Sequence, residues 1–194
     1  MVRTADIKRK TRETDISVSL NIDGTGECQV KTGIGFFDHM LELFAKHGKL
    51  DLKLSCDGDI DVDGHHSVED AGICIGKAMA TALGDKRGIT RYASERVPMD
   101  EALAEASLDI SGRPYLVFDA DLSGMVGAFD AQLAEEFFRA LAINAGLTLH
   151  LRVIYGKNTH HILEAMFKAA ARAFRQAAAI DPLETGIPST KGIL

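Results

Sequence analysis

The chain has no apolar stretch of bilayer-spanning length. Its most apolar helix-like segment, AGICIGKAMATALG, is short and broken by Lys77. Its first ten residues, MVRTADIKRK, are charged and lack the apolar run of a secretory signal. Cysteine is scarce and odd in number. Cys28, Cys56 and Cys74 have no metal-ligand spacing, so they read as reduced, structurally buried thiols of a cytoplasmic protein. Basic excess is also missing. With a formal charge of -6 and no aromatic-rich basic face, neither a nucleic-acid nor a membrane partner is expected. The rest is ordinary globular composition, 46% hydrophobic and 26% charged over 194 residues, enough for one compact unit or two small halves sharing a core.

An internal repeat organises the chain. GHHSVEDAGICIGKAMATAL and THHILEAMFKAAARAF share His-His-x-x-Glu followed by an Ala-rich apolar run, with His65 and His160 95 residues apart. Upstream, FFDHMLELFAKHGKLDLKL and LAEEFFRALAINAGLTLHL align at an offset of 97. Two blocks in the same order imply a duplicated unit, with a first half at residues 1–90 and a second at 91–194. Hydrophobic patterning predicts strands through Ile16–Ile22, Leu50–Leu54, Ala106–Ile110, Leu116–Leu122 and Leu147–Ile154. It predicts helices over Phe36–His47, ending near Gly48, and over His65–Leu83, Gln132–Ala145 and Thr159–Ala179. The fold class is α+β: a sandwich of two similar halves, with helices on one face of each sheet.

The chemistry concentrates in the duplicated motif. On a helix, His66 and Glu69 stand three residues apart and can chelate one metal, while His65 points elsewhere and is free for a second. His161, Glu164 and His160 repeat this arrangement. The order is not that of the His-Glu-x-x-His zinc-protease motif, and the imidazole-plus-carboxylate donor set suits manganese, iron, cobalt or zinc. His39 aligns with Glu136 at the offset of 97, giving eight candidate ligands: His39, His65, His66, Glu69, Glu136, His160, His161 and Glu164. Four per metal leave positions open for substrate or water. A Glu in AEEFF also suits a solvated helix face, so both readings of Glu136 stay open. His150, alternating with Leu149 and Leu151, reads as an exposed strand residue, and His47 as a helix-end histidine. Arg91, Arg113 and Lys191, with Ser189 and Thr190 beside it, are loop residues able to hold an anion; Lys157 and Lys168 lie near the second motif.

Several long segments together resemble the imidazoleglycerol-phosphate dehydratase family: RETDISVSLNIDGTG, GIGFFDHMLELFAKHG, DVDGHHSVEDAGICIG, MDEAL, LDISGRPYL, FFRALAINAGLTLH, GKNTHHILEAMFKA and IPSTKG. The resemblance implies that each half is a four-stranded sheet backed by helices. It implies two manganese ions per active site, and a homo-oligomer of 24 subunits built from trimers with active sites between subunits. It implies a hydro-lyase of histidine biosynthesis converting D-erythro-imidazoleglycerol phosphate, a small-molecule phosphate, to imidazoleacetol phosphate and water through a metal-bound imidazolate. His39, both histidine doublets, Glu69 and Glu164 match its metal ligands. Glu13, His47, Arg91, Arg113, Lys168, Ser189 and Lys191 match substrate contacts, with Thr190 in the same segment. Glu136 departs from the pattern, standing where many relatives carry histidine. For proton transfer the candidates are Glu164 first, then Glu69, with Glu13 handling the departing hydroxyl. Two alternatives remain open: a dinuclear metal hydrolase, or a noncatalytic metal- or RNA-binding module.

Overall fold

The computed structural model describes residues 3–194; Met1 and Val2 of the first half lie outside it. The first half runs β1 (Thr4–Lys10), β2 (Thr14–Asn21), β3 (Cys28–Lys31), α1 (Gly35–Gly48), β4 (Asp51–Gly58) and α2 (His65–Leu83). The second runs β5 (Tyr92–Met99), β6 (Ala102–Asp109), β7 (Tyr115–Asp119), β8 (Met125–Val126), β9 (Phe129–Asp130), α3 (Leu133–Ala145), β10 (Thr148–Tyr155) and α4 (Thr159–Ala178). The sheets have matching orders, β1-β2-β4-β3 and β5-β6-β10-β7. In each the last neighbour pairs parallel across a helix crossover and the rest pair antiparallel. The fold is thus the duplicated α+β sandwich implied by the repeat. The β8–β9 hairpin is an addition to the second half.

Burial follows strand alternation. Ile16, Val18 and Leu20 of β2 and Ala102, Ala104 and Ala106 of β6 face inward, while Ser17, Ser19 and Ser107 face out. The helices cross between halves: α2 lies on β1 and β2 yet packs against α3, and α4 lies on β5 and β6 yet packs against α1. One continuous core results. Gly72 and Gly76 allow the α2–α3 approach, since a Cβ on either would sit 2.7 Å from the carbonyl oxygen of Phe137 or Leu141.

The first helix ends at Gly48, as its sequence predicts, and is capped by Lys49, whose φ is 55°; the repeat partner Gly146 caps α3 at 67°. Gly48 stays helical, and a Cβ there would crowd Leu50 and the Ala171 carbonyl. The charged opening segment forms the edge strand β1, and YASERVPM forms the edge strand β5. Edge strands tolerate charge and proline, so their apolar alternation is diluted.

Candidate metal centre

On α4, residues four apart lie about 40° apart around the axis and each side chain leans toward the N-terminus. His160, Glu164 and Lys168 therefore form a ladder, which His39 of α1 approaches from the side. His39 Nε2 and His160 Nε2 lie 3.1 and 3.0 Å from Glu164 Oε1, and Lys168 Nζ donates to Glu164 Oε2 at 2.5 Å. Among the described residues, His39, His160 and Glu164 form the one trio whose ligand atoms all fall within 4.8 Å of one another. Burial disfavours ionisation of Glu164, but hydrogen bonds from Lys168, His39 and His160 outweigh it and hold the pKa at about 2. Phe36 packs edge-on to His160 at 5.0 Å between centroids and limits its rotation. His47 lies farther along α1; burial, then Lys168 and Arg172, push its imidazole below the ordinary value.

The pairing within each motif differs from the spacing argument. The first histidine of the doublet, not the second, meets the glutamate: His160 with Glu164, and His65 with Glu69 at 3.9 Å. An offset of four brings side chains closer in azimuth than an offset of three, and the N-terminal lean closes the gap. His65 and Glu136 line one groove of about 600 Å³ with Ile34, Gly64 and Leu133. Glu136 stands as the counterpart of His39, on α3 rather than α1, and its Oε2 lies 3.9 Å from Arg139 Nε.

The second histidines turn away. His161 Nδ1 lies 2.7 Å from Glu101 Oε2, in the β5–β6 turn, with its Nε2 3.7 Å from Asp100. His66 Nδ1 lies 3.0 Å from Asp59, just after β4, with its Nε2 3.7 Å from Glu13. Asp59 and Glu101 were not singled out by sequence reasoning. Their one signal was acidic segments, GDIDVDG and MDEAL, without a fixed offset from the doublets. Glu13 itself is held locally. Its backbone carbonyl accepts from Asp59 N at 3.1 Å, and the adjoining Thr14 donates its hydroxyl to buried Asp70 at 2.5 Å, where Arg9 also bonds.

The anion candidates gather elsewhere. Arg91 Nε donates to Asp109 at 2.8 Å and its Nη1 to the Pro188 carbonyl at 2.7 Å, tying down the segment with Ser189, Thr190 and Lys191. Arg113 lies 3.7 Å from the same Asp109. Arg91 N donates to Ala177 O at 2.7 Å, at the far end of α4 from His160. At 1.5 Å rise per residue that is about 25 Å. Lys168 and His47 sit with the metal cluster, and Lys157 stands in the turn just before α4, whereas Arg91 and the tail segment tied to it lie at the other end of that helix. His150 is exposed on β10, and the cysteines are unbridged. Among the described residues, no helix is long and apolar enough to cross a membrane.

The chain matches known proteins over its whole length. A family model for imidazoleglycerol-phosphate dehydratase matches residues 32–174. The imidazoleglycerol-phosphate dehydratases of Methylorubrum extorquens and Caldanaerobacter subterraneus are 56% and 58% identical to it, each alignment covering 100% of both chains. Among solved structures, the Staphylococcus aureus enzyme superposes with a TM-score of 0.83 at 44% identity, covering 92% of this chain and 99% of that one. The Pyrococcus furiosus enzyme, solved in complex with (S)-C348, gives 0.84 at 34% identity, with 97% and 100% covered.

Proposed function

The chain belongs to the imidazoleglycerol-phosphate dehydratase family, and we propose that its active site holds two manganese ions and is completed by a second copy of the chain. It is a hydro-lyase that dehydrates imidazoleglycerol phosphate in histidine biosynthesis. The observation that carries the proposal is the His39, His160 and Glu164 trio. Two imidazole nitrogens and a carboxylate oxygen, held on two packed helices, fit manganese or iron and leave coordination positions open. His65, Glu69 and Glu136 are assigned to the second metal, and His66 and His161, which turn outward, complete the sites of neighbouring copies. Bound metal supplies Lewis acidity and a template for the imidazole ring.

The chain's own side chains supply orientation and proton transfer. Glu164 remains a candidate base, but both its oxygens are engaged by His39, His160 and Lys168, which suits a fixed ligand. Glu69 and Glu13 lie 3.9 and 3.7 Å from one histidine each and are freer to carry a proton from the carbon or to the departing hydroxyl. Lys168 and His47 flank the ring end of the substrate. Arg91, Arg113, Ser189, Thr190 and Lys191 are assigned to phosphate. Because these lie about 25 Å from His160 along α4, one small substrate reaches both groups only between two copies. The assembly proposed is a 24-mer built from trimers, working in the cytoplasm, with each subunit made of duplicated halves 1–90 and 91–194.

Co-expressing His160→Ala with Lys191→Ala chains tests the shared site. Each alone is expected to be nearly inactive, and the mixed assembly to recover about a quarter of wild-type activity, since random mixing pairs intact halves of the site that often. No recovery in verified mixed assemblies contradicts a site shared between copies.

A further inference from the structure

The two outward-turned histidines share a feature that the ligand trio does not explain. Each has a carboxylate on Nδ1: Asp59 on His66 at 3.0 Å, and Glu101 on His161 at 2.7 Å. An ionised carboxylate only accepts, so Nδ1 carries the proton and the Nε2 lone pair faces out. The carboxylates come from positions that do not correspond. Asp59 follows β4, whereas Glu101 precedes β6, where its counterpart ahead of β2 is Glu13. Duplication by itself does not produce one contact from two unrelated positions. Glu101 is itself fixed, its Oε1 accepting from the backbone N–H groups of Asn158 at 2.8 Å and Lys157 at 3.2 Å, in the turn that caps α4. Among the described residues, the Asp59 carboxylate meets His66 alone.

We propose that Asp59 and Glu101 are positioning residues that fix the tautomer and ring orientation of His66 and His161, so that each presents Nε2 to a metal held mainly by another copy. The inference rests on the reading of these histidines as ligands. Carboxylate partners of ligating imidazoles typically set affinity by 10- to 100-fold.

The experiment uses the full assembled protein, stripped and titrated with manganese by calorimetry, with turnover measured at limiting and saturating manganese. Asp59→Ala is expected to weaken manganese binding about 10- to 100-fold while turnover at saturating manganese recovers to within a few-fold. Asp59→Asn, whose amide oxygen still accepts from Nδ1–H, is expected to restore most of the affinity. Glu101→Ala is expected to weaken binding in the same way, and Glu101→Gln to restore only part of the affinity, because its one amide oxygen cannot accept both from Nδ1–H and from the Asn158 and Lys157 N–H groups. His66→Ala and His161→Ala are expected to lose affinity outright. Wild-type affinity in both alanine carboxylate variants, with affinity lost in the histidine variants, overturns the positioning role alone. Wild-type affinity in the histidine variants overturns the ligand reading and this inference with it. A loss that saturating manganese does not rescue also overturns it, since that marks a structural role.

Discussion

Lys168 and Glu164, one turn apart on α4, share a 2.5 Å hydrogen bond with side-chain exposures of only 13% and 9%. The corresponding position after Glu69 is Ile73, so the two motifs, alike in sequence, differ in charge balance. In the absence of metal, Lys168 is the fixed cation that offsets the buried carboxylate.

Lys168→Met is therefore expected to destabilise the metal-free protein by about 2–3 kcal/mol, below the cost of breaking a fully buried pair because some solvent reaches this one. Urea unfolding measures it, and manganese is expected to shrink the difference by replacing the missing positive charge.

The acid limb of stability carries the same signature. Glu164 has a folded pKa lowered from 4.5 to about 2. Its stabilising contribution is complete above the unfolded pKa and is lost as pH falls through the folded one. The window is thus roughly pH 4.5 down to 2, and Lys168→Met should move this loss to higher pH. Unfolding of the metal-free proteins across that range checks the direction, and coincident profiles sink the assignment.

Much of this site was legible in the linear sequence. The second His-His-x-x-Glu doublet and His39 marked the trio of His39, His160 and Glu164 that the helices bring together. Which histidine meets Glu164 was not legible, because it depends on 40° against 60° of azimuth and on side-chain lean rather than on residue type. Likewise β1 and β5 were hidden because edge strands carry charge and proline where inner strands carry aliphatic residues. Asp59 and Glu101 reach their histidines from separate turns, so no local spacing pointed to them. Nor does any motif reveal that Arg91 and His160 sit at opposite ends of α4; that follows only from the length of the helix.

In the second metal site proposed above, Glu136 stands where the first has His39. A carboxylate in place of the His39 imidazole makes the donor set harder, favouring manganese over zinc. Glu136→His is expected to raise zinc affinity relative to manganese at one of two sites, and Glu136→Ala to weaken that site alone, both read by competition calorimetry. Unchanged binding in both variants removes Glu136 from the ligand set.

The α2–α3 contact is expected to resist even one methyl group. Gly72→Ala and Gly76→Ala each place a Cβ about 2.7 Å from a facing carbonyl oxygen. Overpacking of this kind costs about 1–3 kcal/mol, less the fraction regained from helix propensity. A thermal melt higher than wild type for either variant contradicts the close approach of these helices.

The most direct measurement mixes imidazoleglycerol phosphate with manganese-reconstituted protein, with metal-stripped protein, and with His160→Ala protein given the same manganese, and follows the ketone product. The account predicts sustained product from the first and almost none from the other two, with activity returning to the stripped sample when manganese is added back. Equal turnover in the stripped sample, verified free of metal, contradicts it.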